Sequence, residues 1–318
     1  MPLNTSKHIL SFLLFLGLTS SHAQEYFRIG TGGAAGTYYP VGVMIANAIS
    51  VPKQLVATAQ ITNGSPSNVK GIESESLESG FSQSDVATWA HQGIMAFKGK
   101  PPVSSLRLIA TLYPESLHVV VKKSAGIKNI QGLKGKRVAL DELASGTYIN
   151  ASMILTAYGV KESELKAQYI KADQAAEKLK NGELDAFFFM GGAPAKPITE
   201  LVNSGADIEL LDLRGNESDK LLALNTYFSS TTIAADTYKG VAAVQTLAVS
   251  AQWVTSAKTS TALVYEMTKT LFSEDVQKRL QTGHPKGKLI TAKNAVLGAG
   301  IPFHPGAAKY YKEVGLLK

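Results

Sequence analysis

Apolar positions along this chain fall into short runs separated by longer stretches of helical spacing. Residues 26–30 (YFRIG) form the first run, a strand pattern ending on glycine. After a glycine-rich loop, Pro40 precedes Val41, Ile45 and Ile49, which share one helical face. LVATAQ at 55–60 is the next strand pattern, and behind it GSPSN offers Ser65 as N-cap and Pro66 as first helical residue. SGFSQSD, at 79–85, passes from strand to helix at Ser84. Strands and helices alternating in this order predict an α/β fold with a largely parallel sheet.

The rhythm breaks at 113–123 (YPESLHVVVKK), a long extended run with no helix inside it. A second alternating unit follows. LKGKRVALD at 133–141 leads through ASGT (144–147) into a helix reaching Gly159. Asp173 can cap a helix ending at Gly182, and DAFFFM (185–190) reads as a buried strand running into GGAP at 191–194. Beyond YFSSTTIAADTY, QTLAVSAQWVTSA (245–257) is a further strand pattern, with a helix expected at 263–272. The chain therefore passes from one α/β unit to another and back. The expected architecture is two-lobed, with 24–115 and 230–318 in lobe 1, 116–229 in lobe 2, and two hinge-crossing segments.

Residues 1–23 stand apart from that plan. Lys7 and His8 precede a ten-residue apolar run, ILSFLLFLGL, and SHA at 21–23 presents small residues where a signal peptidase cuts. The run falls short of the roughly 20 apolar residues that span a bilayer, so a secretory signal cleaved after Ala23 is expected, with the mature chain exported. No cysteine occurs, which excludes disulfides, thiolate metal sites, cysteine nucleophiles and a lipidated N-terminus. The formal charge of +7 is dispersed, its densest groups being Lys122-Lys123 and KGKR at 134–137. No basic stripe is interleaved with aromatics, so no nucleic-acid partner is expected.

The loop IGTGGAAGTYYP, at 29–40, raises the question of chemistry. Gly30, Gly32 and Ala35 satisfy a dinucleotide-binding pattern, but no acidic residue lies between Glu25 and Glu73 to hold a ribose. An exported protein also has no general access to nicotinamide cofactors. Nor is there a P-loop: Gly99-Lys100, Gly135-Lys136 and Gly287-Lys288 are followed by Pro, Arg and Leu. No cofactor is expected. What remains is a set of strand-end loops, TGGAAGTYY, NGSPSN, QSD, ASGT and GGAP, rich in hydroxyls, amides and backbone N–H groups. Each alone reads equally well as a tight turn or an N-cap. Distributed over both units, they point to a small anion, such as a carboxylate, held between lobes.

For catalysis the residues offer little. His91, His118, His284 and His304 lack metal-ligand spacing, so no metal site is expected. His118 lies in an apolar strand pattern and reads as a hydrogen-bonded structural residue; His284 and His304 precede prolines and read as turn residues. Asp85 and Glu115 could form a carboxylate pair, although Asp85 fits equally well in the first turn of a helix.

Taken together, IGTGGAAGTYYPVG, SQSDVATWAHQG, LYPESLHVVVKKSAGIKNIQGLKGKRVAL, LDAFFFMGGAP and HPGAAKYYKEVGLL closely resemble the TAXI-type solute receptors of tripartite ATP-independent periplasmic (TRAP) transporters, over about 26–317. The resemblance implies a type II-like periplasmic-binding-protein fold and a monomer that is not an enzyme. It would deliver a small organic acid, glutamate or 2-oxoglutarate among the candidates, to an ion-gradient-driven permease with a fused subunit. It also implies ligand contacts at Gly33, Thr37 and Tyr38, then Ser65 and Asn68, then Gln83, Ser84 and Asp85, with Tyr113 and Glu115 at the crossing. From the second lobe it implies Ser145, Gly146 and Thr147, then Gly191, Gly192 and Pro194. The chain departs from the family's pattern in TNGSPSN, where Asn63 and Pro66 stand and Pro66 lacks a backbone N–H. Two rival readings stay open: a periplasmic enzyme using Asp85 with His91 or Glu115, and the ligand-binding component of a sensor.

Overall fold

The computed structural model describes residues 24–318; the expected signal segment lies outside the described residues. Glu25–Gly30 (β1), Leu55–Gln60 (β2) and Ser79–Gln83 (β3) alternate with the helices Tyr38–Ile49 (α1), Ser65–Glu73 (α2) and Ser84–Gln92 (α3). The chain then enters a 17-residue strand, Leu106–Lys122 (β4). Beyond it come Arg137–Ala139 (β5), Lys166–Gln168 (β6), Ala186–Gly191 (β7) and Ile208–Leu210 (β8), with helices Gly146–Ala157 (α4), Ala172–Lys180 (α5), Lys196–Asn203 (α6) and Asn216–Leu224 (α7). Ser229–Ile233 (β9) and Val244–Ser256 (β10) carry the chain back, and Thr261–Leu271 (α8), Glu274–Gly283 (α9), Ala292–Ala295 (α10) and Pro305–Glu313 (α11) complete it. Among the described residues no helix is long and apolar enough to cross a membrane.

The strands form one ladder in the order β2-β1-β3-β10-β4-β7-β5-β6, with β8 beside β4 and β9 beside β10. β1 is parallel to β2 and β3, and β5 is parallel to β6 and β7. The centre differs from the largely parallel sheet expected: β10 is antiparallel to β3 and β4, and β4 is antiparallel to β7. The reason is geometric. At about 3.3 Å per residue a strand as long as β4 reaches some 55 Å, enough to pair in both halves of the molecule. β4 and β10 make that traverse in opposite directions, so each half has a parallel outer part and an antiparallel inner edge.

Each half buries both faces of its sheet, as near-continuous apolar strands require. In the first, alternate residues separate the faces: Ile109 and Trp253 pack with Phe27, Val41 and Tyr311, while Leu108 and Val254 pack with Val69, Ile72 and Ile301. In the second, Phe188 and Met190 join Leu117, Val138 and Ile154, whereas Phe187 and Phe189 join Val120, Leu179 and Ile198. β4 changes cores between Tyr113 and Leu117. The return comes later than the expected residue 230. Ile233, Tyr238 and Val244 pack with Phe187, Leu247 and Val249 pack with Phe188, and only at Ala251 does β10 rejoin the first core. The pairing of β9 with β10 explains this, since it holds the returning segment on the second half's sheet.

Candidate functional site

Four helices begin around one cavity of about 80 Å3 between the two halves. Thr37 and Tyr38 stand at the start of α1, Gly64 and Ser65 at α2, Gln83 at the N-cap of α3, and Ser145, Gly146 and Thr147 at α4. Glu115 from β4, Asp141 after β5, and Phe189 to Gly191 of β7 complete the wall. The first backbone N–H groups of a helix have no intrahelical acceptor, and the macrodipole leaves partial positive charge there. Four such termini around one space favour an anion.

The side chains divide the work between bracing and display. Tyr38 donates its hydroxyl to Glu115 Oε2 at 2.8 Å. Ser65 caps nothing: helix α2 starts one residue earlier than expected, with Gly64 as N-cap, and Ser65 Oγ accepts the backbone N–H of Gln83 at 3.0 Å. Ser145 Oγ accepts from Tyr148 N at 3.0 Å and so caps α4, and Thr147 Oγ1 accepts from Met190 N at 3.2 Å. Ser145 and Thr147 thus brace backbone N–H groups through their hydroxyl oxygens and keep their own O–H groups to donate, at a helix start that lines the cavity.

Glu115 is buried, and desolvation pushes its carboxyl up to about 8; the Asp85 charge adds to this, while the Tyr38 hydrogen bond and Lys286 oppose it. Burial likewise raises Asp141 to about 6. Lys286, on the turn Pro285–Leu289, is half-buried with its stem against Gly192; desolvation lowers its pKa and Glu115 opposes the shift. It makes no ion pair among the described residues. The site is therefore a ring of helix N-termini with two weakly acidic carboxyls in its wall and one unpaired lysine behind it.

Of the expected contacts, Gly33, Thr37, Tyr38, Ser65, Gln83, Glu115, Ser145, Gly146, Thr147 and Gly191 line the cavity. Six do not. Asn68 is a bracket: its Nδ2 donates to Thr31 O and Phe81 O, both at 2.7 Å, tying α2 to β1 and β3. Ser84 Oγ accepts from Ser250 N of β10 at 3.1 Å. Asp85 lies behind Gln83 and accepts from Asn150 Nδ2 at 2.7 Å. Tyr113 is buried with an unpartnered hydroxyl, and Gly192 donates its N–H to Thr37 Oγ1 at 3.2 Å. Pro194 faces a separate groove beside Tyr39 and Met44. Residues the sequence did not mark also line the cavity: Gly32, Gly36, Asn63, Gly64, Asp141, Phe189 and Met190. Most adjoin a marked residue; Asp141 ends the LKGKRVALD strand and could have been found as an acidic strand end. Pro66 faces a different groove with Lys70 and Leu143, so its missing N–H does not bear on the cavity.

Three of the four histidines are hydrogen-bonded structural residues; His91, at the end of α3, is half-buried with Nδ1 unpartnered and does not line the cavity. His118 Nε2 lies 2.8 Å from Tyr238 Oη, while His284 and His304 accept backbone N–H groups from Lys286 and Gly306. Asp173, expected as a cap, sits inside the first turn of α5, which Lys171 precedes as N-cap.

A family model described as the NMT1-like family matches residues 29–315. Among solved structures, the fold is similar to a Bordetella bronchiseptica protein at 14% identity, covering 93% of this chain and 90% of that one, with a TM-score of 0.52. It is also similar to the binding-protein component of an ABC phosphonate transporter from Pseudomonas aeruginosa, at 9% identity, 84% and 80% coverage and a TM-score of 0.51. The periplasmic aliphatic sulphonate binding protein of Escherichia coli aligns at 15% identity over 91% and 83% of the two chains, with a TM-score of 0.47. The fold shared with the first two is α/β, with a mixed sheet.

Proposed function

We propose that this chain, which belongs to the NMT1-like family, is a periplasmic solute receptor of the TAXI type. It captures a small carboxylate between its lobes and delivers it to a TRAP permease. One observation carries the reading: four helix N-termini from both lobes converge on one cavity between them. A carboxylate placed there meets backbone donors at Gly146 and Thr147, while Glu115 and Asp141 stand ready for an ammonium or hydroxyl elsewhere on the ligand. Because burial holds Glu115 near pH 8, that carboxyl is largely uncharged at neutral pH and does not repel the anion. The lobes are residues 24–113 with 251–318, and 117–249, hinged by β4 and β10. Export depends on the signal expected at 1–23.

A thermal-shift screen of ligand-stripped protein against amino acids and mono- and dicarboxylates tests this. A ligand at a hundredfold excess over Kd stabilises by about 2.7 kcal/mol, a shift of several degrees. If no carboxylate raises the melting temperature, the substrate class is wrong. Recovery of an intact acid from denatured protein, with no turnover product, separates receptor from enzyme.

A further inference from the structure

One chain of polar side chains runs from the interior of α3 to the cavity and crosses between the halves. Asp85, Asn150 and Gln83 are all buried. Asn150, on α4 of the second half, donates from Nδ2 to Asp85 Oδ2 at 2.7 Å. It accepts at Oδ1 from Gln83 Nε2, also at 2.7 Å. Asp85 Oδ1 has no partner. Gln83 lines the cavity, and its Oε1 lies 3.5 Å from Ser65 Oγ and directly against Gly146, both cavity residues.

The chemistry of the three groups fixes the direction of this relay. An ionised carboxylate only accepts hydrogen bonds. It obliges Asn150 to turn its amino group inward, which leaves only Asn150 Oδ1 to face Gln83. Gln83 must then turn its own amino group toward Asn150, and its carbonyl oxygen is left beside the cavity. Reversing any one carboxamide sets two donors or two acceptors against each other in a buried place. We propose that Asp85 is a positioning residue: acting through Asn150, it orients the Gln83 carboxamide so that Oε1 reads a hydrogen-bond donor on the ligand. The receptor thereby prefers an amino acid over the 2-oxo acid of the same skeleton. The inference rests on the carboxylate reading of the cavity. It adds a residue, Asn150, that no sequence motif marks, and it assigns Asp85 a role without ligand contact. Since Asn150 belongs to the opposite half, the relay is complete only when the halves are together.

The test measures Kd by calorimetry for L-glutamate against 2-oxoglutarate, and for L-alanine against pyruvate, in the wild type, Asp85→Asn and Asn150→Ala. The wild type is expected to favour the amino member of a bound pair at least tenfold. Both variants should bring that ratio toward one, since Asp85→Asn permits the reverse orientation and Asn150→Ala breaks the relay from the other half. A merely structural role would weaken both members of a pair by the same factor; that result, or an unchanged ratio, overturns the proposal. The side-chain 15N–1H2 resonances of Gln83, assigned by their loss in Gln83→Leu, give a second reading in the ligand-bound, closed protein. They should shift in Asp85→Asn, and resonances unmoved by that substitution overturn the relay. If the wild type binds none of the four acids, the carboxylate reading fails and this inference fails with it; binding with an unchanged ratio overturns the relay alone.

Discussion

Tyr38 and Glu115 meet at 2.8 Å inside the cavity wall, hydroxyl donating to carboxyl oxygen, with both side chains buried. The contact joins the start of α1 to the strand that crosses between the halves. A carboxyl so placed is a pH-dependent element. Burial raises Glu115 from 4.5 to about 8, so the folded chain holds this proton more tightly than the unfolded chain does. Its stabilising contribution is full below pH 4.5 and is lost as pH rises through about 8. At about 1.4 kcal/mol per pKa unit the effect is at most a few kcal/mol. Melting temperatures of ligand-free wild type and Glu115→Gln, compared from about pH 5 to about pH 9, isolate it. The wild type should fall steadily relative to the variant; parallel curves would mean that Glu115 titrates normally.

At Gly146 the two halves pack against each other with no room for a side chain. A Cβ at this position would run into Gln83 Oε1 and approach Ser65 Oγ to 3.1 Å. Those atoms belong to the opposite half, so the fold of each half can accommodate alanine, while closure would have to push the Gln83 carboxamide out of its place beside Asn150. Gly146→Ala should leave the melting temperature of the ligand-free protein nearly unchanged and weaken ligand binding tenfold or more. Small-angle scattering should show the variant remaining expanded when ligand is added. A variant that compacts and binds like the wild type would contradict this account of closure.

The alternation of strand and helix patterns made the α/β class and its passage between two units legible from residues alone. The direction of β4 and β10 was not legible, because an extended apolar run carries no sign of which neighbour it pairs with. The same holds for residues 230–249, where only pairing with β10 decides the half in which Ile233 and Tyr238 are buried. At the site, loop composition located the cavity well, since glycines and hydroxyls at strand ends mark where helices begin. It could not separate display from bracing. Asn68, Ser84 and Asp85 have the same chemistry as ligand contacts, and only three-dimensional placement shows their hydrogen bonds turned toward protein. Asn150 lies in an unremarkable helical stretch, and no spacing connects it to Gln83.

A further contact between the halves is a hydrogen bond from Gly192 N to Thr37 Oγ1 at 3.2 Å. Replacing the hydroxyl by a methyl in Thr37→Val keeps the volume and removes the acceptor. The buried N–H of Gly192 is then unpaired in the closed form, at a cost of about 1–3 kcal/mol. When the halves separate, water can satisfy it. The penalty therefore falls on the closed state, and ligand affinity should drop roughly 5- to 100-fold, mostly through faster dissociation. Stopped-flow displacement measures this directly. An unchanged off-rate would show that the Thr37–Gly192 bond does not contribute to closure.

The loop that carries Gly191 and Gly192 is held from behind by Tyr238. Its hydroxyl accepts the backbone N–H of Ala195 at 2.8 Å and lies 2.8 Å from His118 Nε2. His118 Nδ1 faces only carbonyl oxygens, Ser116 O at 2.9 Å and Phe189 O at 3.3 Å, so it carries the ring proton, and Nε2 accepts the proton of the Tyr238 hydroxyl. Burial pushes His118 down to about 4, which keeps the ring neutral in this role. Its contribution is therefore present above the ordinary value of 6.5 and is lost as pH falls through about 4, opposite in sign to that of Glu115. Tyr238→Phe keeps the ring and orphans two buried polar groups at once, the Ala195 N–H and His118 Nε2. Urea denaturation at neutral pH should show a loss of about 2–4 kcal/mol, near the sum expected for two unsatisfied groups. Because the loop borders the cavity, ligand affinity should fall as well. A variant as stable as the wild type would mean that water or a rotated His118 replaces the hydroxyl, and the loop would then owe its position to packing alone.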